Sequence, residues 1–307
     1  MSRRKRRKRD MSAIGRLASH AGVAGLWLLH WLPLPVLAAL GVALGELLFR
    51  FAGERRHVVL TNLRLCFPAL DDAARRALAR RHFHALGRSL LERSLLWWAP
   101  QALLQRLVRL DGAERMRSLL DAGRPVIMLA PHFIGLDMGG SRIAMDFDSV
   151  SIYARQRNPV FDRWFLHGRS RFGDQQLLAR EDGARPTVKA MKAGRPFYYL
   201  PDMDYRGRDS IFVPFFGVPA ATITGLPRLA RLAGAAVVPV LTRMLPGGQG
   251  YVVEFGEAWA DFPSGDVEAD TLRMNRWIED AVRSMPEQYY WVHRRFKTRP
   301  PGEPRPY

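Results

Sequence analysis

The chain has 307 residues, one cysteine and a formal net charge of +18, from 47 Lys and Arg against 29 Asp and Glu. That length buries a substantial core, the single Cys66 excludes an intrachain disulfide and a cysteine metal cluster, and the charge calls for an anionic partner. Neither a Walker A sequence nor G-x-G-x-x-G after a strand is present, which disfavours ATP and NAD chemistry, and the lack of G-x-S-x-G disfavours a serine-nucleophile hydrolase.

From the N-terminus, Arg3, Arg4, Lys5, Arg6, Arg7, Lys8 and Arg9 form one basic block, read as a solvated tail or a contact for lipid headgroups, nucleic acid or an acidic protein. Between Arg16 and Glu46 no Lys, Arg, Asp or Glu occurs, and Leu26, Trp27, Leu28, Leu29, Trp31, Leu32 and Leu34 crowd the stretch. A crossing needs about 20 apolar residues, but Pro33 and Pro35 divide this one, and basic residues flank both ends, Arg16 before and Arg50, Arg55 and Arg56 after. The expectation is a monotopic helical segment lying in one leaflet, with a single span or a cleaved signal peptide as alternatives. The organisation expected is a basic disordered tail over 1–16, a membrane-associated helical segment over 17–52 and one catalytic domain over 53–307.

Asp71-Asp72 opens a helix whose apolar residues Leu78, Phe83, Leu86, Leu90 and Leu91 recur at helical spacing, followed by Trp97-Trp98 for the core or a membrane interface. Apolar runs then alternate with helical stretches: Val126 to Leu129, Val150 to Tyr153, Pro196 to Leu200, Ala236 to Leu241 and Tyr251 to Phe255 read as strands. The fold class is therefore α/β, with a mixed, largely parallel sheet flanked by helices.

Chemistry-bearing residues collect after these runs. His132 and Asp137, in Pro131-His132-Phe133-Ile134-Gly135-Leu136-Asp137, follow the first run and read as a base and its orienter. Five helical positions turn through about 140°, so the two meet only if His132 lies in the turn before a helix and Asp137 reaches back from its first turn. Arg155 and Arg157, in Tyr153-Ala154-Arg155-Gln156-Arg157-Asn158-Pro159, follow the second run and suit an oxyanion or a phosphate. Asp202 and Asp204, in Pro201-Asp202-Met203-Asp204-Tyr205, follow the third; they suit a divalent metal, or hydrogen bonding to Arg206 and Arg208. The aromatics of Phe212-Val213-Pro214-Phe215-Phe216-Gly217 suit either an acyl-chain slot or core packing. A second basic group, Arg294, Arg295, Lys297 and Arg299, lies near the C-terminus. Three function classes are compatible with these residues: a membrane-bound α/β enzyme working through a His132 and Asp137 dyad, a metal-dependent phosphoesterase on His132, Asp137, Asp202 and Asp204, and a basic membrane protein that binds lipid or nucleic acid.

These clusters, with the terminal run Pro286-Glu287-Gln288-Tyr289-Tyr290-Trp291-Val292-His293-Arg294-Arg295-Phe296-Lys297-Thr298-Arg299-Pro300, resemble the lipid A late acyltransferases, the lauroyl and myristoyl transferases of the lysophospholipid acyltransferase superfamily. The resemblance runs from the apolar N-terminal segment onward. It implies a glycerolipid-acyltransferase-like fold and an inner-membrane enzyme, catalytic domain on the cytoplasmic side. The implied reaction moves a fatty acyl group from acyl carrier protein thioester to a hydroxyl of a lipid A precursor, with membrane lipids but no nucleic acid as partners, and with no cofactor or metal. The same chemistry on another lysolipid or aminolipid is the alternative. His132 would be the general base and Asp137 its partner, without a covalent intermediate, in a position where many members carry Glu. Members also place an arginine directly after the tyrosine matching Tyr153, where this chain has Ala154 and then Arg155. Asp202 and Asp204 would brace the basic residues of the site.

Overall fold

The computed structural model describes residues 11–307 apart from Arg206 and Arg208. The Arg3 to Arg9 block and the two arginines expected to pair with Asp202 and Asp204 thus lie outside the described residues.

The described residues begin with four helices: α1 (Ala13–Leu29), α2 (Leu34–Phe51), α3 (Gly53–Cys66) and α4 (Asp72–Trp98). Asp71 caps α4 by accepting a hydrogen bond from Ala74 N at 2.7 Å, as the Asp71-Asp72 pair foretold. Helix α2 runs along α4 with backbones nearly touching. A Cβ added at Gly41 or Gly45 would overlap the α4 backbone at Arg88 or Phe83, and one added at Gly87 would overlap Gly41 and Gly45. Those glycines create a seam that buries Leu37, Ala38, Gly41 and Gly45. The opposite face of α2 stays apolar and exposed at Val36, Leu40, Leu47 and Phe51, and α1 adds exposed Ile14, Leu17, Trp27 and Leu28. With a mean hydropathy of 1.8 over 18 residues, α2 is long and apolar enough to cross a membrane, although one side is packed on protein. An uncovered apolar surface of this kind accords with membrane association.

After α5 (Gln101–Leu107) the sheet is laid down with alternating helices: β1 (Val108–Asp111), α6 (Ala113–Asp121), β2 (Val126–Leu129), α7 (Leu136–Ile143), β3 (Val150–Tyr153), α8 (Pro159–Arg169), β4 (Gln176–Ala179), α9 (Ala184–Lys192) and β5 (Phe197–Tyr199). A two-stranded hairpin of β6 (Ser210–Phe215) and β7 (Val218–Ile223) intervenes, and α10 (Gly225–Ala233), β8 (Ala236–Met244), β9 (Tyr251–Phe255) and α11 (Val267–Ser284) complete the fold. The seven strands lie in the order β1-β9-β8-β2-β5-β3-β4, all parallel except the β8–β9 pair.

The expected mixed, largely parallel sheet is thus present, with strands at each of the five runs read from sequence. The four other strands among the described residues, β1, β4, β6 and β7, lie outside the expected runs. β1 and β4 are the two sheet edges and only partly buried. β6 and β7 form the hairpin, its turn taken by Phe216 and Gly217, both at positive φ. Phe215 is buried in the core and Phe216 packs on Phe67, so of the two uses expected for these aromatics, packing holds for this pair.

The sheet separates two cores. Ile127, Leu129, Phe197, Tyr199 and Val237 face α9, α10 and α11, whereas Val126, Met128, Tyr198, Val238 and Val253 face α1, α7 and the C-terminal half of α4. Central strand β2 is buried on both faces, which is why its sequence is continuously apolar rather than alternating.

Candidate active site

The register of β2 and β5 builds the site. Leu129 pairs with Tyr199, so the strand ends stand side by side, and each continues through one residue and a proline: Ala130-Pro131-His132 and Leu200-Pro201-Asp202. His132 and Asp202, separated by 70 residues, leave adjacent parallel strands at the same offset and meet. The His132 Nδ1 lies 2.7 Å from Asp202 Oδ1, and the His132 backbone N–H donates to Asp202 Oδ2 at 3.0 Å. Asp202 is only 2 % exposed. Burial alone would raise its pKa; attraction to His132, the two hydrogen bonds from that residue and one from Tyr289 outweigh burial and hold it down at about 2. An ionised carboxylate only accepts, so the proton of a neutral His132 resides on Nδ1 and Nε2 presents its lone pair.

Asp137 takes a different position from the one expected. It does lie in the first turn of α7, but its Oδ2 accepts from Arg93 of α4 at 2.7 Å and its Oδ1 from Arg169, the last residue of α8, at 3.0 Å. Burial opposes its ionisation, and Arg169 and then Arg93 overcome that and lower its pKa; the charge of His132 acts in the same direction. The carboxylate at Nδ1 is therefore Asp202, because the strand ends bring it into line with the ring while Asp137 faces the two guanidiniums. Helix α7 is seated close to the sheet at Gly139, where a Cβ would overlap the Thr242 side chain of β8. A narrow crevice of about 40 Å³ beside Asp137 and Arg169 runs between Leu136, Ile152, Tyr198 and Leu200.

Arg155 and Arg157 are both exposed on the connection from β3 to α8. That connection is fixed by Asn158, which caps α8 by accepting from Val160 N at 3.0 Å, and by Asp162, which accepts from Tyr153 Oη and from Gln156 N. The arginines brought to the site are Arg93 and Arg169, which the sequence reading did not single out: they lie 44 and 32 residues from Asp137, with no local motif to mark them. Asp204 bonds the backbone N–H and hydroxyl of Thr298, each at 2.9 Å, and its own N–H donates to His293 Nε2 at 2.8 Å. His132, Asp137, Asp202 and Asp204 hence do not converge as a four-ligand set, and the described residues contain no group of three or more His, Cys, Asp or Glu placed to hold a metal.

The model of the family described as bacterial lipid A biosynthesis acyltransferase matches residues 4–298. This chain belongs to that family. It is 37 % identical over 287 residues to the lipid A biosynthesis lauroyltransferase of Escherichia coli (strain K12), with 93 % of each chain covered. It is 31 % identical over 283 residues, covering 92 % of each, to the palmitoleoyltransferase of the same strain. With the strain's myristoyltransferase it shares 32 % identity over 278 residues, 89 % of this chain and 83 % of the other. The protein is an acyltransferase acting on a lipid A-related substrate.

In this acyltransferase the terminal run acts as a brace across both site loops. Tyr290 N–H donates to His132 O at 2.9 Å, and Ile134 N–H to Gln288 O at 2.7 Å. His293 and Thr298 hold Asp204, and Asn62 of α3 reaches Trp291 O at 2.7 Å and His293 O at 2.8 Å. Arg295, 2 % exposed, donates to Ala221 O and Thr222 Oγ1 of the hairpin, both at 2.9 Å, while Arg299 donates to Pro219 O. Within the basic C-terminal group, Arg295 and Arg299 thus hold the hairpin, whereas Lys297 is exposed. His293 is held neutral, with burial first and then the charges of Arg295 and His132 lowering its pKa to about 4.

Proposed function

We propose that this acyltransferase moves a fatty acyl group from an acyl carrier protein thioester to a hydroxyl of a lipid A precursor, with His132 as general base, on the cytoplasmic side of the inner membrane. The observation that carries the mechanism is the 2.7 Å contact of His132 Nδ1 with buried Asp202, which leaves Nε2 as the free basic atom. The acceptor hydroxyl gives its proton to Nε2 as its oxygen forms a bond to the thioester carbonyl carbon. The tetrahedral oxyanion then collapses, the carbon–sulfur bond breaks, and the imidazolium returns the proton to the departing thiolate. A thioester is already an activated donor, so orientation and one proton shuttle suffice without a covalent enzyme intermediate.

Asp202 acts as the positioning residue. Asp137 acts through its charge, which favours the transient imidazolium and holds the guanidiniums of Arg93 and Arg169 beside the reaction, where they stabilise an oxyanion or a phosphate of the acceptor. The exposed apolar faces of α1 and α2 support a membrane-bound setting for a lipid acceptor. A labelled acyl group is offered on acyl carrier protein to a tetraacylated lipid A precursor in detergent, with wild type compared against His132→Ala. Transfer by wild type that vanishes in the folded variant is expected; retained turnover removes His132 as base, and an inactive wild type moves the acceptor to another lysolipid or an aminolipid.

A further inference from the structure

On the sheet face away from α1, helices α9 and α10 enclose an open groove of about 500 Å³. Its floor is apolar, with Val188 of α9 and Leu232 of α10, the latter 59 % exposed. Its rim is cationic: Arg185, Lys189 and Lys192 recur four and three residues apart and so form one line along α9, a helix without an acidic residue. The nearby acids, Glu181 and Asp182, precede the helix, and Asp182 is tied to Ala179 N at 2.8 Å. A row of cations beside an apolar floor complements an acidic amphipathic helix.

The groove also connects with the site. Helix α9 runs back against the parallel strands, so its Arg185 end lies at the sheet edge where β2 and β5 release His132 and Asp202. Arg180, just before α9, stacks over the ring of Tyr205, 4.7 Å from its centroid, in the loop that carries Asp202. A bilayer is the less suitable occupant, because the exposed Trp27 and Leu28 of α1 are on the opposite face of the sheet.

We infer that this groove is the docking surface for the acidic acyl carrier protein, an inference that rests on the donor proposed above. Kinetics of the full chain would be measured with one acyl chain presented on carrier protein or on pantetheine, for wild type, the double variant Arg185→Glu/Lys189→Glu, and a charge-matched control, Arg106→Glu/Arg124→Glu. KM for the carrier-bound donor should rise roughly tenfold or more in the groove variant alone, with the difference shrinking at high salt and the pantetheine donor used within about twofold of wild type. An unchanged KM for the carrier-bound donor, or an equal rise in the control, overturns the docking surface. Loss of binding to anionic phosphatidylglycerol vesicles with carrier kinetics intact reassigns the groove to the membrane and overturns it as well. If wild type uses acyl-pantetheine but not the carrier thioester, the donor reading has failed, which is a separate result.

Discussion

Replacing Asp202 by Asn tests how the base is set. The carboxylate receives two hydrogen bonds from one residue, from His132 N at 3.0 Å and from the ring Nδ1 at 2.7 Å. An amide has one oxygen and one NH2 group, so it can serve only one of those donors. With its oxygen toward the ring, the NH2 opposes the backbone N–H of His132. With its oxygen toward that N–H, the NH2 donates to Nδ1 and drives the ring proton to Nε2, abolishing the lone pair needed for the acceptor hydroxyl. Either arrangement also removes the negative charge that favours the imidazolium. Changing the tautomer in this way should lower kcat by about 10³ to 10⁴, roughly 4 to 5.5 kcal/mol of barrier, with little effect on KM. Asp137→Asn leaves the Nδ1 bond in place and should lose only about 10- to 100-fold. Steady-state acyl transfer by the two variants, with circular dichroism to verify folding, decides the matter. A loss of less than tenfold for Asp202→Asn beside a collapse for Asp137→Asn would refute the reasoning and return the orienting role to Asp137.

Arg169→Ala, which strips one of two cations from Asp137, should reduce kcat/KM by about 10- to 10³-fold, whereas exposed Arg155→Ala should stay within roughly threefold; equal losses in the same transfer assay would contradict the placement of the cation. Gly87→Ala gives opposite signs in two accounts. Helix propensity alone would stabilise by about 1 kcal/mol, whereas overlap with Gly41 and Gly45 should destabilise by about 1 to 3 kcal/mol, so a lowered Tm is expected and a raised one removes the seam argument. His82 and His293 are both held neutral by burial, each with its pKa lowered from 6.5 to about 4. Below pH 6.5 the unfolded chain takes up protons that the folded chain refuses until about 4, so stability intact above 6.5 should decline between those values, by on the order of 3 kcal/mol per histidine. Tm against pH checks this, and His82→Gln should flatten the decline; an unaltered slope would show that His82 does not titrate as described.

The alternation of apolar runs with helical stretches made the sheet legible, and the position of His132 after the β2 run was read correctly because strand ends are where such sheets present side chains. The carboxylate that touches Nδ1 is Asp202 and not the expected Asp137, for a physical reason. A motif with two titratable groups five residues apart favours the local pairing, whereas hydrogen bonding across parallel strands joins residues 70 apart. The necessary signal was present as a repeat of form: an apolar strand, one residue, proline, then His132 in one case and Asp202 in the other. Recognising it requires knowing that β2 and β5 are neighbours, and no helical or strand periodicity encodes strand order. Arg93 and Arg169 stayed hidden likewise, since a helix carries many arginines and only packing decides which face the site.

The terminal run illustrates the same limit. Its charge count matters less than its register: Gln288 and Tyr290 stitch the His132 loop, while His293 and Thr298 hold the Asp202–Asp204 loop. The two loops that must agree to within a hydrogen-bond length are thus tied to one short segment as well as to adjacent strands. The proposed base His132, whose proton position depends on a single 2.7 Å contact, gains from that double attachment, because slippage of either loop would cost the Nδ1 bond and with it the tautomer. Arg295, in the same segment, is anchored to the hairpin by carbonyl and hydroxyl contacts deep in the fold.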